Sequence, residues 1–172
     1  MLRETKPLPA PPRYPRRAHP QWLPRQEYET NDEPMGFVFA EIILRNAGDV
    51  ELARTGHMEA EDIRQIMVTA LVDTGAYTLA LPESIVVQLG LPVVEEREFD
   101  LADGSKKAMP VVGPVWLKFK NRQTVCLAVQ THDDEVLLGS IPLEDLDVVI
   151  NPKAQTIEVN PESPYMPKMK LK

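Results

Sequence analysis

From Gly36 onward the chain is a series of short apolar runs separated by polar breaks, and most of the runs are too short to be helices. Residues 37–44 are apolar and β-prone, which predicts a first strand. Asp49 followed by residues 50–55 and then Gly56 predicts a short capped helix, and Glu59 to Asp62 predict an exposed acidic turn. Residues 65–72 are almost wholly apolar, the pattern of a strand buried on both faces. That strand runs without a break into Asp73-Thr74-Gly75-Ala76, and an extended piece over 78–81 follows. Pro82 suits the first turn of a helix and Gly90 its stop, with Ile85, Val86 and Leu89 on one face between them.

The second half predicts strands over 93–102, 106–112, 114–120 and 123–130. Asp103-Gly104 predicts a tight hairpin between the first two, and Lys120-Asn121-Arg122 a turn between the last two. Val136 to Gly139 reads as a short buried strand ending on glycine, and residues 142–146 as a brief helix. Strands over 148–151 and 156–159 close the pattern, joined at Asn151-Pro152-Lys153. The expected fold is mainly β, a small barrel or folded sheet with one or two short helices. Residues 1–34 hold eight prolines and several arginines without any period, and are expected to be disordered. Residues 161–172 are rich in Pro and Lys and are expected to form a loose tail, which leaves 35–160 as the folded domain.

Charge narrows the partners. The net charge is −7; residues 1–34 carry six Lys/Arg against five Asp/Glu, and the remainder carries 13 against 21. An acidic domain argues against nucleic acid, which needs a basic face. Arg13, Arg16, Arg17 and Arg25 read as a solvated tail, with Tyr14 and Trp22 as weak anchors at best. No run reaches the ~18 apolar residues of a membrane span, and no apolar segment follows the basic start as in a secretory signal. A cytoplasmic location is expected. Cys126 stands alone in an alternating apolar run, so it reads as a buried structural thiol and neither a disulfide partner nor part of a multi-cysteine metal site.

Few residues are candidates for chemistry. His57 and His132 lack ligand spacing, and His132-Asp133-Asp134 reads as a solvated acidic loop; Ser84 and Ser140 have no recognisable base. No metal or organic cofactor is expected. Asp73 is different, because a carboxylate at the end of a buried strand suits peptide hydrolysis by activated water. Two carboxylates about 3 Å apart cannot both ionise, so one serves as base and the other as acid, and the pair titrates as a unit. Thr74 is able to fix the loop by an inward hydrogen bond, and Gly75 permits close backbone approach.

Leu71-Val72-Asp73-Thr74-Gly75-Ala76 resembles the active-site signature of the retropepsin-like aspartic proteases, most closely the bacterial single-domain type. The resemblance extends over roughly residues 36–160. A helix and a hairpin follow the signature, Asp103-Gly104 falls where the flap tip would be, and Leu137-Leu138-Gly139 leads into a short helix. It implies a half-barrel in a two-fold homodimer acting on a peptide or protein substrate. Asp73 would be the catalytic carboxylate, supported by Thr74 and Gly75. Ala76, Tyr77 and the flap residues Ala102, Asp103 and Gly104 would bind substrate, and Leu137, Leu138 and Gly139 would form a structural loop. The chain holds one Asp-Thr-Gly where a two-lobed enzyme needs two, so each subunit would donate one Asp73 across an isologous interface.

Two departures stand out. Retroviral members often carry Asp-Asp after the signature and Arg after the late glycine, and those side chains pair; this chain has Tyr77-Thr78 and Ser140. At this stage three functions stay open: an aspartic endopeptidase, a non-catalytic peptide-binding or dimerisation module of the same fold, and a zymogen-like form in which residues 1–34 mask the cleft.

Overall fold

The computed structural model describes residues 36–171. The expectations for residues 1–34, including the arginine cluster, Tyr14 and Trp22, lie outside the described residues, as does Lys172.

The first strand, β1 (Phe39–Asn46), turns Ala40, Ile42 and Leu44 inward at period two. It starts and ends two residues later than the apolar run suggested, because Asn46 both finishes the strand and caps the next helix, α1 (Ala47–Arg54). The Asn46 side chain accepts from Gly48 N at 2.9 Å and Asp49 N at 3.2 Å, and its amide donates to the Leu89 and Gly90 carbonyls. Asp49, expected as the cap, is instead buried inside the first turn. It accepts from the Arg64 backbone and from its guanidinium at 2.7 Å, which holds its carboxyl below the usual range.

A short 3-10 turn (Ala60–Asp62) leads to β2 (Gln65–Val72), whose limits match the expectation. The expected burial on both faces does not hold: Met67 is 67% exposed and only Ala70 is fully buried, so β2 is a surface strand with one inward face. β3 (Leu79–Pro82) and α2 (Glu83–Leu89) follow, with Val86 and Leu89 buried and Gly90 ending the helix in the left-handed region.

β4 (Val93–Asp100) and β5 (Lys106–Phe119) form a long hairpin, and β6 (Arg122–Thr131) returns along β5. The two strands expected over 106–112 and 114–120 are one. Gly113 at φ +135° absorbs a register shift between Val112 and Val115, so β5 bends without breaking. The two-residue Asp103-Gly104 turn is likewise corrected to a five-residue loop over 101–105, closed by Leu101 N to Ser105 O at 2.8 Å. β7 (Leu137–Leu138), α3 (Ser140–Leu146), β8 (Val148–Asn151) and β9 (Thr156–Val159) complete the order. Among the described residues there are three α-helices, at the three places where the residue pattern predicts them, one more than the one or two of the fold-class expectation.

Seven strands make one sheet in the order β1-β2-β7-β3-β6-β5-β4, and β1 also pairs with the far half of β5. That extra pairing curls the sheet into a barrel, with β4 left outside as an edge strand. Leu44, Leu79, Leu81, Leu117 and Leu138 fill the barrel beside Leu89 and Leu146 from the helices. β8 and β9 form a separate two-stranded sheet.

The C-terminal segment is more ordered than a loose tail. Ser163 is buried; its hydroxyl and the Asn160 amide donate to the Asp147 carboxylate, as does Lys168 N at 3.0 Å. These donors hold the Asp147 carboxyl at about 2, well below its usual 3.8. Arg122 lies 1% exposed beneath this segment and donates to the Ser163 carbonyl. Sequence gave no sign of this, because the partners sit in polar stretches that read as turn and tail. Among the described residues no helix is long and apolar enough to cross a membrane.

Candidate active site

The site is built around β7. These two residues lie between β2 and β3, parallel to β2 through Leu71–Leu137 and Val72–Leu138 and antiparallel to β3 through Ala80–Leu137. The connection from β2 to β3, residues 73–78, must therefore arch over β7. Asp73 N donates to the Leu138 carbonyl at 3.1 Å, and Ala76 N to the Asp73 carbonyl at 3.1 Å. Ser140 N and Ile141 N donate to the carbonyls of Ala76 and Tyr77, so the start of α3 holds the far side of the arch. The space between is tight. A Cβ on Gly139 would stand 2.2 Å from Thr78 O and 2.6 Å from Ala76 O, which only glycine avoids.

Within this arch Asp73 Oδ1 accepts from Gly75 N at 2.9 Å. A Cβ on Gly75 would crowd the same oxygen at 3.2 Å. Asp73 is partly buried while Thr74 and Gly75 are exposed. The hydroxyls of the two departures are both engaged: Thr78 Oγ1 donates to Leu127 O at 2.8 Å, and Ser140 Oγ to Tyr77 O at 3.1 Å. Neutral side chain-to-backbone bonds thus brace the arch at Thr78 and Ser140.

A cleft of about 560 Å³ runs past Asp73. It brings together Asp73, Gly75, Ala76, Tyr77, Ala102 and Leu137, all named from sequence. Phe99 and Met109, from the inward faces of β4 and β5, close its other side. The hairpin thus overhangs the Asp73 loop. Asp103 and Gly104 sit at its tip outside the cleft lining, where Asp103 folds back on the Ser105 amide at 2.9 Å and hydroxyl at 2.6 Å; these bonds lower its pKa. Leu138 and Gly139 support the arch from below without lining the cleft.

Thr74 faces elsewhere. It lines a separate groove of about 430 Å³ with Ser140, Leu143, Glu144, Val148 and Ile150, which reaches to Asp147. Sequence analysis missed Phe99, Lys107, Met109 and Thr131 as cleft residues. The signal was available for Phe99 and Met109, since both are apolar residues set among charged or small neighbours on a hairpin otherwise open to water. Among the described residues no group of three or more His, Cys, Asp or Glu is placed to hold a metal ion.

Comparison with protein families finds one whose model, described as "Aspartyl protease", matches residues 62–160. The matched span covers more than half of the chain and takes in the arch, the overhanging hairpin, β7 and the β8–β9 sheet. No curated protein matches the chain significantly.

Proposed function

Because the chain belongs to the aspartyl protease family, we infer that it is an aspartic endopeptidase whose reactive centre is a pair of Asp73 carboxylates, one from each of two copies. The observation that carries this reading is the single Asp73 at the edge of a cleft that also contains Ala76, Tyr77 and the overhanging hairpin. One carboxylate cannot act as both base and acid on the same water, and the sequence offers no second signature.

In this mechanism the two Asp73 groups share one proton. The ionised member removes a proton from water, which attacks the peptide carbonyl carbon; the protonated member donates to the carbonyl oxygen. The resulting diol collapses as a proton passes to the amine and the C–N bond breaks. Gly75 N–H holds Oδ1 in place, and the arch over β7 resists movement of the loop as charge shifts. An extended substrate would lie beneath Phe99 and Met109 and pair with backbone as an added strand.

Pairing of two copies is supported by the Thr74 groove. Its apolar members are Leu143 of α3 and Val148 and Ile150 of β8, and a two-stranded sheet such as β8–β9 is marginal alone. A second copy set there would bring the two Thr74 side chains, and the adjacent Asp73 carboxylates, toward a common axis.

Replacing Asp73 tests the reading. Asp73→Asn is expected to lower peptide cleavage by roughly 10²–10⁴-fold or more while leaving the circular dichroism and the sedimentation coefficient unchanged. A peptide library assayed from acidic to neutral pH supplies the substrate; binding of peptides without cleavage by the native chain would favour a non-catalytic module.

A further inference from the structure

Beyond its base the overhanging hairpin is a ribbon of two strands. Residues 96–100 of β4 and 106–110 of β5 pair with each other and with no other strand among the described residues, and β6 joins β5 only from Val111 onward. Both strands shift register at the same level, β4 between Val93 and Glu95 and β5 between Val112 and Val115, where Gly113 stands at φ +135°. Paired irregularities of this kind give the ribbon a base about which it can swing.

Charge is unevenly answered on this element. Its cations are Arg97, Lys106 and Lys107. Arg97 pairs with Glu95, and Lys106 lies 3.1 Å from Glu98 and 3.8 Å from Asp100. Lys107 is in no ion pair among the described residues. It stands opposite Phe99, as Met109 stands opposite Arg97, so period-two alternation turns Lys107 to the inner face and Lys106 to the outer one. Lys107 accordingly lines the cleft, and so does Asp133 from the loop between β6 and β7. That loop continues as Asp134 and Glu135. All three carboxylates are exposed, and none is in an ion pair among the described residues. Of the other carboxylates in the cleft, Asp100 is shared with Lys106 and Asp73 accepts from Gly75 N.

We propose that Lys107 and Asp133 form an ionic clasp that draws the hairpin down over the cleft, with Asp134 and Glu135 adding to the field that guides it. Both are positioning residues, acting through the hairpin and away from the reacting bond. The clasp itself needs no catalysis; that it holds a peptide for hydrolysis rests on the reading of the cleft given above. One exposed ion pair shifts such an equilibrium by about two- to fivefold and is screened by salt. The clasp is therefore weak enough to open again after each closure.

Zero-length carbodiimide coupling tests the contact in the native chain, since it joins an amine to a carboxylate only where the two touch. Peptide mapping of the product of single-chain mass is expected to show Lys107 joined to Asp133, with the Lys106–Glu98 pair as internal control. Hydrogen exchange of residues 96–110 then reads closure without a substrate. Raising salt from about 0.01 M to about 1 M, which cuts the screening length from roughly 30 Å to roughly 3 Å, is expected to speed that exchange about two- to fivefold. Lys107→Glu or Asp133→Lys alone is expected to speed it as much at low salt and to abolish the salt effect; the two together are expected to restore both. A recovered Lys106–Glu98 link without a Lys107–Asp133 link overturns the proposal, as does a double reversal that behaves like the single ones. So does an Asp73→Asn chain that exchanges like Asp133→Lys, because Lys107 would then answer the other carboxylate. Cleavage is scored on the same variants. A KM that rises in the single reversals and recovers in the double one supports the clasp's part in holding a peptide, and a KM that stays unmoved removes it from that part. A clasp present in a chain that cleaves nothing keeps the inference and counts against the peptidase reading.

Discussion

The backbone amide of Asp73 donates to the carbonyl oxygen of Leu138 at 3.1 Å, joining the end of β2 to a two-residue strand far along the chain. The loop that carries the carboxylate therefore hangs on β7. Bonds from Gly75 N and Ala76 N shape the loop around Asp73, while its place in the fold is set from beneath by Leu138 and Gly139 and from the side by the first turn of α3.

Gly139→Ala tests that dependence. The added methyl meets two backbone carbonyls, which cannot swing aside as a side chain would. The substitution is expected to destabilise the fold by about 1–3 kcal/mol, read as a lower urea midpoint, and to cut activity in the surviving folded protein. An unchanged midpoint would mean that the arch and β7 are not locked together.

Asn46 is the second stability determinant. It caps α1 and bridges to the end of α2 while being only 6% exposed. Asn46→Ala removes a cap and leaves the Leu89 and Gly90 carbonyls without their side-chain donor, at a cost of about 1–3 kcal/mol. Chemical denaturation followed by circular dichroism measures it; Asn46→Ser is expected to recover part of the loss by restoring the cap alone.

The Asp147 cluster gives a pH dependence with a defined sign. Its folded pKa, about 2, lies below the ordinary 3.8, so its contribution is fully present above 3.8 and is lost as pH falls toward 2. Asp49, lowered by Arg64, acts in the same direction. The melting temperature is expected to drop through this window, and Asp147→Asn or Ser163→Ala to make the drop shallower. A slope identical to that of the native chain would show that the cluster contributes nothing.

Pairing through the Thr74 groove predicts that specific activity falls on dilution. Val148→Asp places a charge among Leu143 and Ile150 and is expected to raise the dissociation constant at least about tenfold, the cost of one desolvated charge. Sedimentation velocity over a concentration series reads it; full activity from a species that sediments as a monomer is incompatible with a shared dyad.

Much of this was legible in the sequence because short-range signals agree. The apolar run of β2, the signature at its end, and Pro82 with Gly90 around α2 are local patterns, and the structure follows them closely. The failures have long-range causes. Asn46 displaced Asp49 as cap because the bond from Arg64 is worth making only once β2 lies beside α1. The exposure of β2 follows from its place in a curled sheet, since among the described residues no helix covers its outer face. Gly113 looked like a strand break, and became a bend because β6 pairs on both sides of it. Within the candidate site Asp73 and its arch were readable, and the wall formed by Phe99, Met109 and Val129 was not, because its members share a face only after three strands are in register.

Arg122 ties the barrel to the last described segment. It is covered by Ser163, and its Nε and Nη1 have no hydrogen-bond partner among the described residues. Without residues 160–168 that guanidinium would lose its cover, and Asp147 would lose the donors Asn160, Ser163 and Lys168. The corner that joins β6 to the end of α3 is thus a latch that the barrel's own strands do not complete.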